Sequence, residues 1–350
     1  MENQPPAWLH FWQRPYPSAN TILIEDEKPV LIDSGFGSDV PAMLQWLQVI
    51  GVPPEQLELL INTHYHCDHA GGNSYLQAQA GVRIAAHRWE GKLINNRDAE
   101  ACSVLFLRQP IEPYRVDTLL EDGNELVLGK HIMRVLHTPG HTLGHISLYF
   151  PEDKLLVCGD AVHNDDVSWI NPFREGAGAL ERTVESIDRL AQLDVRLAFS
   201  GHGAMLVKPQ EAFDRARRRY DKWLREPEKL GWHACKRIFA YALMLNGGLL
   251  RGTELDYLLT CPWFLDYSRH VFHSEPEAFV QPLLEEMVRS GAAQWQDEHL
   301  VALTVYMKPD AEWINTAIRW MPPDRWPELV AQRSTRLKIL KSLRYTPRGQ

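Results

Sequence analysis

The chain has 350 residues, of which 45% are hydrophobic and 23% are charged, and its formal net charge at pH 7 is −8. This length favours two domains over one, and the hydrophobic fraction is enough to bury a substantial core. The acidic balance argues against a surface that binds nucleic acid over its whole extent, and no run of about 18 apolar residues is present to span a membrane.

The cysteines and the first residues bear on the cellular compartment. The five cysteines are odd in number and widely scattered, which favours reduced thiols over a disulfide framework. Residues 1–6 lack the basic region followed by an apolar region that makes a secretory signal. We therefore expect a cytoplasmic protein.

The first two-thirds of the chain alternate between strand and helix patterns. Residues 20–25 and 29–33 have the composition of two paired strands joined by a polar turn. A helix then begins at Ser38 or Asp39 and ends at Gly51, because apolar residues recur between them at spacings of three, four and seven.

A dense cluster of metal-binding residue types follows the next predicted strand, at 57–62. His64, His66, Asp68 and His69 lie within six positions of the chain. Neutral imidazoles and carboxylates are the ligands that suit zinc or a similar first-row metal. The cluster therefore predicts a metal site on the loop that leaves this strand.

Three later residues of the same types also follow predicted strands. These are His141 after strand 132–136, Asp160 after strand 155–158, and His202 after strand 195–199. A rigid sheet holds the loops at its strand ends in place, which a metal site requires. All seven residues are predicted at such positions, and that consistency is stronger than any single motif.

The cluster, the strand-terminal Asp33 and the three later residues occur in an order that resembles the metallo-β-lactamase fold superfamily over about residues 15–225. The resemblance implies an α+β protein whose catalytic part is a four-layer αβ/βα sandwich. It also implies two divalent metal ions, with Zn²⁺ favoured and Fe or Mn as alternatives. By this resemblance His64, His66 and His141 hold one ion, Asp68, His69 and His202 hold the second, and Asp160 bridges both.

The same resemblance implies a hydrolase similar to glyoxalase II. A hydroxide that bridges the metals would attack the carbonyl of an ester, thioester or lactone in a small-molecule substrate. Asp68 is expected to be catalytic, as the group that handles the proton of this water. Asp33 is expected to orient the cluster loop or an imidazole ligand by hydrogen bonds, with a simple turn-capping role as the alternative.

Substrate contacts are expected from the long loop after Asp160. His163 follows Asp160 by three residues and is a candidate to face the site. Trp169 and Phe173 are candidate walls of an apolar pocket, although either one can instead hold the loop against the core.

The last third of the chain has a different pattern. Glu226 to Glu228 marks the predicted boundary, which gives a catalytic domain at 1–226 and a smaller, mostly helical domain at 227–350. Three helices are predicted at 232–245, 253–259 and 275–290, followed by a hairpin with strands at 293–296 and 299–303. This order outlines a winged-helix-like module. Superfamily members similar to β-lactamase-like protein 2 carry such a C-terminal module.

Two other functions remain open at this point. The winged-helix-like module and a basic segment at 331–350 suggest a metal-dependent phosphodiesterase or endoribonuclease, so nucleic acid is a less favoured partner. The arginine run at 215–219 is interleaved with acidic residues and fits a solvated helix face better than a nucleic-acid contact.

A one-iron oxidoreductase such as a persulfide dioxygenase is disfavoured, because Asp68 and His202 argue for two metals. A homodimer is left open.

Overall fold

The computed structural model describes residues 4–316 and Trp320, so the basic segment 331–350 lies outside the described residues. The strands are β1 Leu9–Trp12, β2 Thr21–Ile24, β3 Val30–Ile32, β4 Leu59–Ile61, β5 Ile84–His87, β6 Thr118–Leu120, β7 Glu125–Val127, β8 Ile132–His137, β9 Ile146–Phe150, β10 Leu155–Gly159, β11 Leu197–Ser200, β12 Leu249–Leu250, β13 Ala293–Gln296 and β14 His299–Ala302. The helices are α1 Val40–Ile50, α2 Cys67–Ala70, α3 Asn73–Ala80, α4 Arg88–Asn95, α5 Val104–Leu107, α6 Pro172–Glu175, α7 Ala179–Ala191, α8 Pro209–Arg225, α9 Pro227–Asn246, α10 Glu254–Leu259, α11 Pro262–His270, α12 Pro276–Arg289 and α13 Ala311–Thr316. Within these residues, no helix has both the length and the apolar character needed to cross a membrane.

Two large sheets organise the first two-thirds of the chain. The first sheet has the order β1-β2-β3-β4-β5-β6, and its strands from β3 to β6 are parallel. The second has the order β11-β10-β9-β8-β7, in which only the β10–β11 pair is parallel. The strands that the sequence predicted before the metal-binding residues are all present, within one or two residues of the expected bounds.

The two sheets pack face to face, and each has helices on its outer face. Ile32 and Ile61 of the first sheet meet Val135 and Val157 of the second in one core cluster. The alternate residues of these strands point outward. In the first sheet they pack against α1, α3 and α4, and in the second against α7 and α8. Both sheet faces are therefore buried, which explains the continuous apolar strands and gives the predicted four-layer αβ/βα arrangement.

Helix α1 shows how local sequence sets an element. Proline stands in its first turn, where no backbone N–H is needed. Met43 and Leu47 are fully buried against the first sheet. Gly51 ends the helix with φ 92°, a left-handed conformation that glycine adopts without strain, and its N–H bonds back to Leu47 and Gln48. The predicted helix is confirmed.

The last third of the described chain is mostly helical and contains a small sheet of order β12-β14-β13. It has one more helix than predicted before the hairpin: α11, which is separated from α10 by only two residues. Proline stands in the first turn of α11, and Trp263, Phe264 and Tyr267 are fully buried. The assignment to a winged-helix module stays a prediction.

The predicted boundary at residue 226 falls between two helices. Glu226 lies between α8 and α9 with φ −131°, outside helical geometry. One hydrophobic cluster nevertheless joins the outer face of the second sheet to the C-terminal helices, and it includes Leu156, Trp223 and Phe239. The division into two domains therefore remains a proposal, and the two parts share a core.

Candidate active site

Three imidazoles converge at the edge where the two sheets meet. His64 and His66 follow β4, and His141 follows β8. His66 Nδ1 lies 3.0 Å from His64 Nε2 and 3.0 Å from His141 Nε2. Three nitrogen lone pairs that face one another at such distances form the donor set of a cation site.

A second group lies beside the first. Asp68 and His69 belong to the one-turn helix α2, where the sequence predicted a loop, because the chain turns helical directly after the extended His66. Asp68 Oδ2 lies 3.2 Å from His202 Nε2 and 4.0 Å from His69 Nε2. Asp68, His69 and His202 can thus share a second ion.

The carboxylate of Asp160 lies between the two groups. Its Oδ2 is 3.6 Å from His141 Nε2 and 3.8 Å from His202 Nε2, and its Oδ1 is 3.4 Å from His69 Nε2. A Cβ on Gly201 would lie 2.2 Å from Asp160 Oδ1, so only glycine lets the backbone approach this closely. The structure therefore brings all seven predicted residues together.

The buried atoms of these residues fit metal ions. His69 Nε2 and Asp160 Oδ1 are buried and have no hydrogen-bond partner among the described residues. Buried polar atoms without partners are costly, and a bound cation satisfies both. Burial also lowers the pKa of His64 and of His66 well below the usual value, which favours the neutral form that binds metal. The set of nitrogen and oxygen donors suits Zn²⁺, and Fe or Mn as alternatives.

Asp33 supports the site from behind. It stands at the end of β3 with φ 56°. Its Oδ2 accepts hydrogen bonds from His69 Nδ1 at 2.7 Å and from Thr63 Oγ1 at 2.7 Å, and its Oδ1 accepts one from Thr63 N at 2.8 Å. With the Nδ1 proton engaged in this way, the Nε2 lone pair of His69 points into the site. The backbone carbonyl of Trp169 accepts a hydrogen bond from His141 Nδ1 at 2.8 Å, so the Nε2 lone pair of His141 also points into the site.

A cavity of about 290 Å³ opens onto these residues. His163 and Trp169 line it, as the sequence predicted. His163 Nε2 is 3.9 Å from Asp160 Oδ2, and the Trp169 ring stacks on His66 with 5.5 Å between centroids. Phe173 does not line the cavity, so of its two alternatives the pocket wall is wrong and the loop anchor agrees with the structure: the ring packs edge-on against Tyr267 with 5.0 Å between centroids, because α6 turns it toward the C-terminal helices.

Sequence comparison decides the family. The model described as "Metallo-beta-lactamase superfamily" matches residues 15–202, which is more than half of the chain. This chain belongs to the metallo-β-lactamase superfamily.

Several proteins are similar to this superfamily member. The hydroxyacylglutathione hydrolase of Rhodospirillum rubrum is 31% identical over 149 residues, which is 41% of this chain and 47% of that one. The acyl-coenzyme A thioesterase MBLAC2 of Gallus gallus is 28% identical over 209 residues, which is 51% of this chain and 73% of that one. The chain matches about a third to a half of the length of the hydroxyacylglutathione hydrolases.

A solved structure shows the fold more completely. A metallo-beta-lactamase family protein from Thermus thermophilus aligns with a TM-score of 0.56 at 21% identity, covering 85% of this chain and 99% of that one. The structural similarity therefore extends beyond the two-sheet sandwich into the last third of this chain.

His145 is a buried residue of this superfamily member to which the sequence assigned no role. Its Nε2 accepts a hydrogen bond of 3.0 Å from the backbone N–H of Asp160, and its Nδ1 lies 2.8 Å from Thr138 Oγ1. Burial lowers its pKa to about 3, so the ring is neutral and can accept this bond. His145 thus positions the backbone of Asp160. Its place at the start of β9, four residues after His141, was the available signal.

Two buried carboxyl groups hold the loop after His141. Thr142 Oγ1 donates to Glu90 Oε1 at 2.6 Å, and Leu143 N donates to Glu175 Oε2 at 2.7 Å. Burial raises the pKa of Glu175 to about 7, against the opposing charge of Arg174. Neither glutamate was recognisable in the sequence, because each lies on a helix far from the metal-binding motifs.

One face of α9 forms a wall of the cavity, a contribution that the sequence did not predict. The residues on this face that line the cavity are Arg237, Ile238, Ala240, Tyr241 and Met244. Tyr241 also donates a hydrogen bond of 3.0 Å to Pro17 O, which ties α9 to the N-terminal part. Cys67, which lies between His66 and Asp68 in the chain, points toward Tyr241 and Gln109. The last third of the chain therefore completes the site.

The loop after Asp160 is fixed by side chains from three helices. Tyr220 OH of α8 donates to Ser168 O at 3.1 Å, and Tyr267 OH of α11 donates to Ile170 O at 2.8 Å. His233 Nε2 of α9 lies 3.0 Å from Val167 O. These bonds satisfy buried carbonyls of the loop and hold Trp169 against the metal-binding residues.

Proposed function

We propose that this superfamily member is a dinuclear metal-dependent hydrolase that cleaves thioesters. The observation that carries the proposal is the position of Asp160, whose two oxygens face both groups of donor atoms. The choice of thioesters over other esters and lactones is supported by relatives named hydroxyacylglutathione hydrolase and acyl-coenzyme A thioesterase.

The seven residues divide between the two ions as the motif order implies. His64, His66 and His141 would hold one ion, Asp68, His69 and His202 would hold the other, and Asp160, which lies between the two groups, would serve both. Two divalent cations held there would supply Lewis acidity and lower the pKa of a water molecule toward neutrality. Zn²⁺ is the favoured metal for this donor set.

Side chains that line the cavity accept a proton, bind the acyl group and exclude water. Asp68 lines the cavity with its Oδ2 3.2 Å from His202 Nε2, and its carboxylate would accept a proton from the attacking water. Trp169, Ile238 and Met244 line the same cavity and provide apolar surface for the acyl group. They also exclude bulk water from the carbonyl that is cleaved.

Turnover of a substrate panel tests the proposal. The metal-loaded protein is assayed with thioesters, lactones, bis(p-nitrophenyl) phosphate and short RNA, together with a His66→Ala variant and a His299→Ala control on the exposed end of β14. We expect thioester hydrolysis, a loss of more than about 100-fold in kcat/KM for His66→Ala, and no change for His299→Ala. Absence of thioester turnover, or full activity in His66→Ala, overturns the proposal.

The phosphodiesterase alternative is an outcome of the same panel. The arginine run that suggested nucleic-acid binding lies on α8, where several of its members are engaged in ion pairs. Arg217 pairs with Asp188 and Asp221, and Arg219 pairs with Asp166. These contacts match the interpretation of the run as a solvated helix face.

A further inference from the structure

Arg237 is the cationic side chain of the cavity. Among the described residues that line the cavity, it is the single lysine or arginine. It stands one helical turn before Tyr241 on the same face of α9. Arg237 and Tyr16 line the same cavity, and the Tyr16 ring stacks on His202 with 4.7 Å between centroids, so Arg237 faces the cavity that the metal-binding residues share.

The charge of Arg237 is only partly compensated. Asp166 pairs through Oδ2 with Arg237 Nη2 and through Oδ1 with Arg219 Nη1, so two guanidinium groups share one carboxylate. The cluster of these three side chains keeps a net positive charge. The Arg237 side chain is 37% exposed, and Asp166 engages one of its amino groups; a guanidinium group carries further N–H donors that can bind an anion.

The partial exposure of Arg237 places this charge where the cavity meets solvent. About 290 Å³ is at the small end of ligand pockets, so the cavity holds the reacting part of a substrate while the rest remains outside. The residues around Asp166, from Asn164 to Val167, also line the cavity; Asp165 is exposed, and Asn164 and Asp166 are half-buried. An anionic group on the part of the substrate that remains outside would therefore meet Arg237.

We propose that Arg237, whose charge Asp166 compensates only in part, is an anion-recognition subsite for the thiol portion of the thioester substrate. This inference rests on the proposed thioesterase function and deepens it. The ligand chemistry is a carboxylate or phosphate group carried by the leaving thiol, as in glutathione or coenzyme A. A guanidinium group binds either anion through two parallel N–H bonds.

Kinetics with matched substrates test the subsite. One acyl group is presented on coenzyme A, on glutathione and on the uncharged thiol N-acetylcysteamine, using the full metal-loaded chain. For Arg237→Met we expect KM to rise about 10- to 100-fold for a substrate with the recognised anion, with kcat and the KM of the uncharged substrate unchanged. Arg237→Lys restores part of the loss. Arg218→Met, an exposed neighbour on α8 that does not line the cavity, is the control.

A second variant, Asp166→Asn, is expected to change KM in the opposite direction. Asp166→Asn removes the carboxylate that competes for Arg237, so we expect KM for the anionic thioester to fall. A purely structural role for the Arg237–Asp166 pair predicts instead that both variants harm all three substrates alike, and that result overturns the inference. An effect confined to coenzyme A or to glutathione identifies which anion is recognised.

Binding without turnover separates this inference from the proposed function. Calorimetric titration of the wild-type protein and of Arg237→Met with coenzyme A and with glutathione needs no catalysis. We expect at least one of the two thiols to bind the wild type, and to bind the variant about 10-fold or more weakly, with the difference reduced at high salt. If neither binds, or if the variant equals the wild type, the subsite is wrong. If one binds but no thioester is cleaved, the proposed function fails instead.

Discussion

The buried Asp33 carboxylate governs the orientation of one metal-binding imidazole. It accepts hydrogen bonds from His69 Nδ1 and from both Thr63 donors. Asparagine tolerates the left-handed φ of this position, so Asp33→Asn keeps the backbone while removing the charge and one acceptor. We expect metal affinity to fall about 10- to 100-fold, measured by competition with a chelator.

Asp26 offers a matched control for this prediction. Its Oδ2 lies 2.7 Å from His131 Nδ1, and it also accepts backbone N–H bonds, in the same manner as Asp33 but away from the site. Asp26→Asn is expected to leave metal affinity unchanged. Equal losses in both variants would mean that Asp33 acts through general stability.

Glu175 makes the stability of the protein depend on pH. Burial raises its pKa from 4.5 to about 7 in the folded state. Its contribution to stability is therefore fully present below pH 4.5 and is lost as the pH rises through 7, by an amount on the order of 3 kcal/mol. Glu175→Gln keeps an acceptor for Leu143 N and removes this dependence.

Denaturant unfolding at several pH values measures the effect of Glu175. The difference in unfolding free energy, wild type minus Glu175→Gln, is expected to decrease between pH 5 and pH 8. Glu181→Gln, on the exposed side of α7, serves as the control and should show no such trend. A constant difference across this range would contradict the raised pKa.

At the scale of single residues, the sequence carries strong information only where chemistry restricts residue type. The seven metal-binding candidates and Asp33 are histidines and aspartates at strand ends, and the structure brings them together. Tyr241 and Arg237 have ordinary helical surroundings in the sequence, and only tertiary packing places them at the cavity. The sequence left open whether Phe173 is a pocket wall or holds the loop against the core, because aromatic side chains in a loop fill cavities and cores equally well; in the structure it packs against Tyr267.

At the scale of elements, the loop after Asp160 depends on the helices that hold it. Tyr267→Phe removes the hydrogen bond to Ile170 O and leaves a buried carbonyl without this donor. We expect a loss of about 1 to 3 kcal/mol in unfolding free energy and a higher KM, because Trp169 is held less firmly. Tyr75→Phe, at a side chain with 40% exposure, is the control. Unchanged stability and KM in Tyr267→Phe would show that the loop is fixed by other contacts.

Elements with one dominant signal were predictable, and those with mixed signals were not. Helix α1 has a proline in its first turn, an apolar stripe and a closing glycine, all of which agree. Helix α11 and the two-residue strand β12 lack such agreement, since α11 follows α10 closely and β12 is defined only by its pairing with β14. Pairing between residues distant in the chain leaves no local pattern to read.

At the scale of the whole molecule, the C-terminal third is part of the catalytic architecture. The sequence placed it in a separate module because its residue pattern changes after residue 226. The structure shows a hydrophobic cluster that runs from the second sheet into α9, α11 and α12, and a cavity wall made by α9. Shared core packing of this kind depends on shape complementarity between distant segments, which residue patterns do not encode.

The metal content of the purified protein tests the central claim most directly. Wild type and Asp160→Ala are equilibrated with Zn²⁺, freed of unbound metal and measured by elemental analysis. We expect about two ions per wild-type chain and fewer in Asp160→Ala, because this carboxylate faces both groups of ligands. One ion or none in the wild type, or an unchanged content in Asp160→Ala, would contradict it.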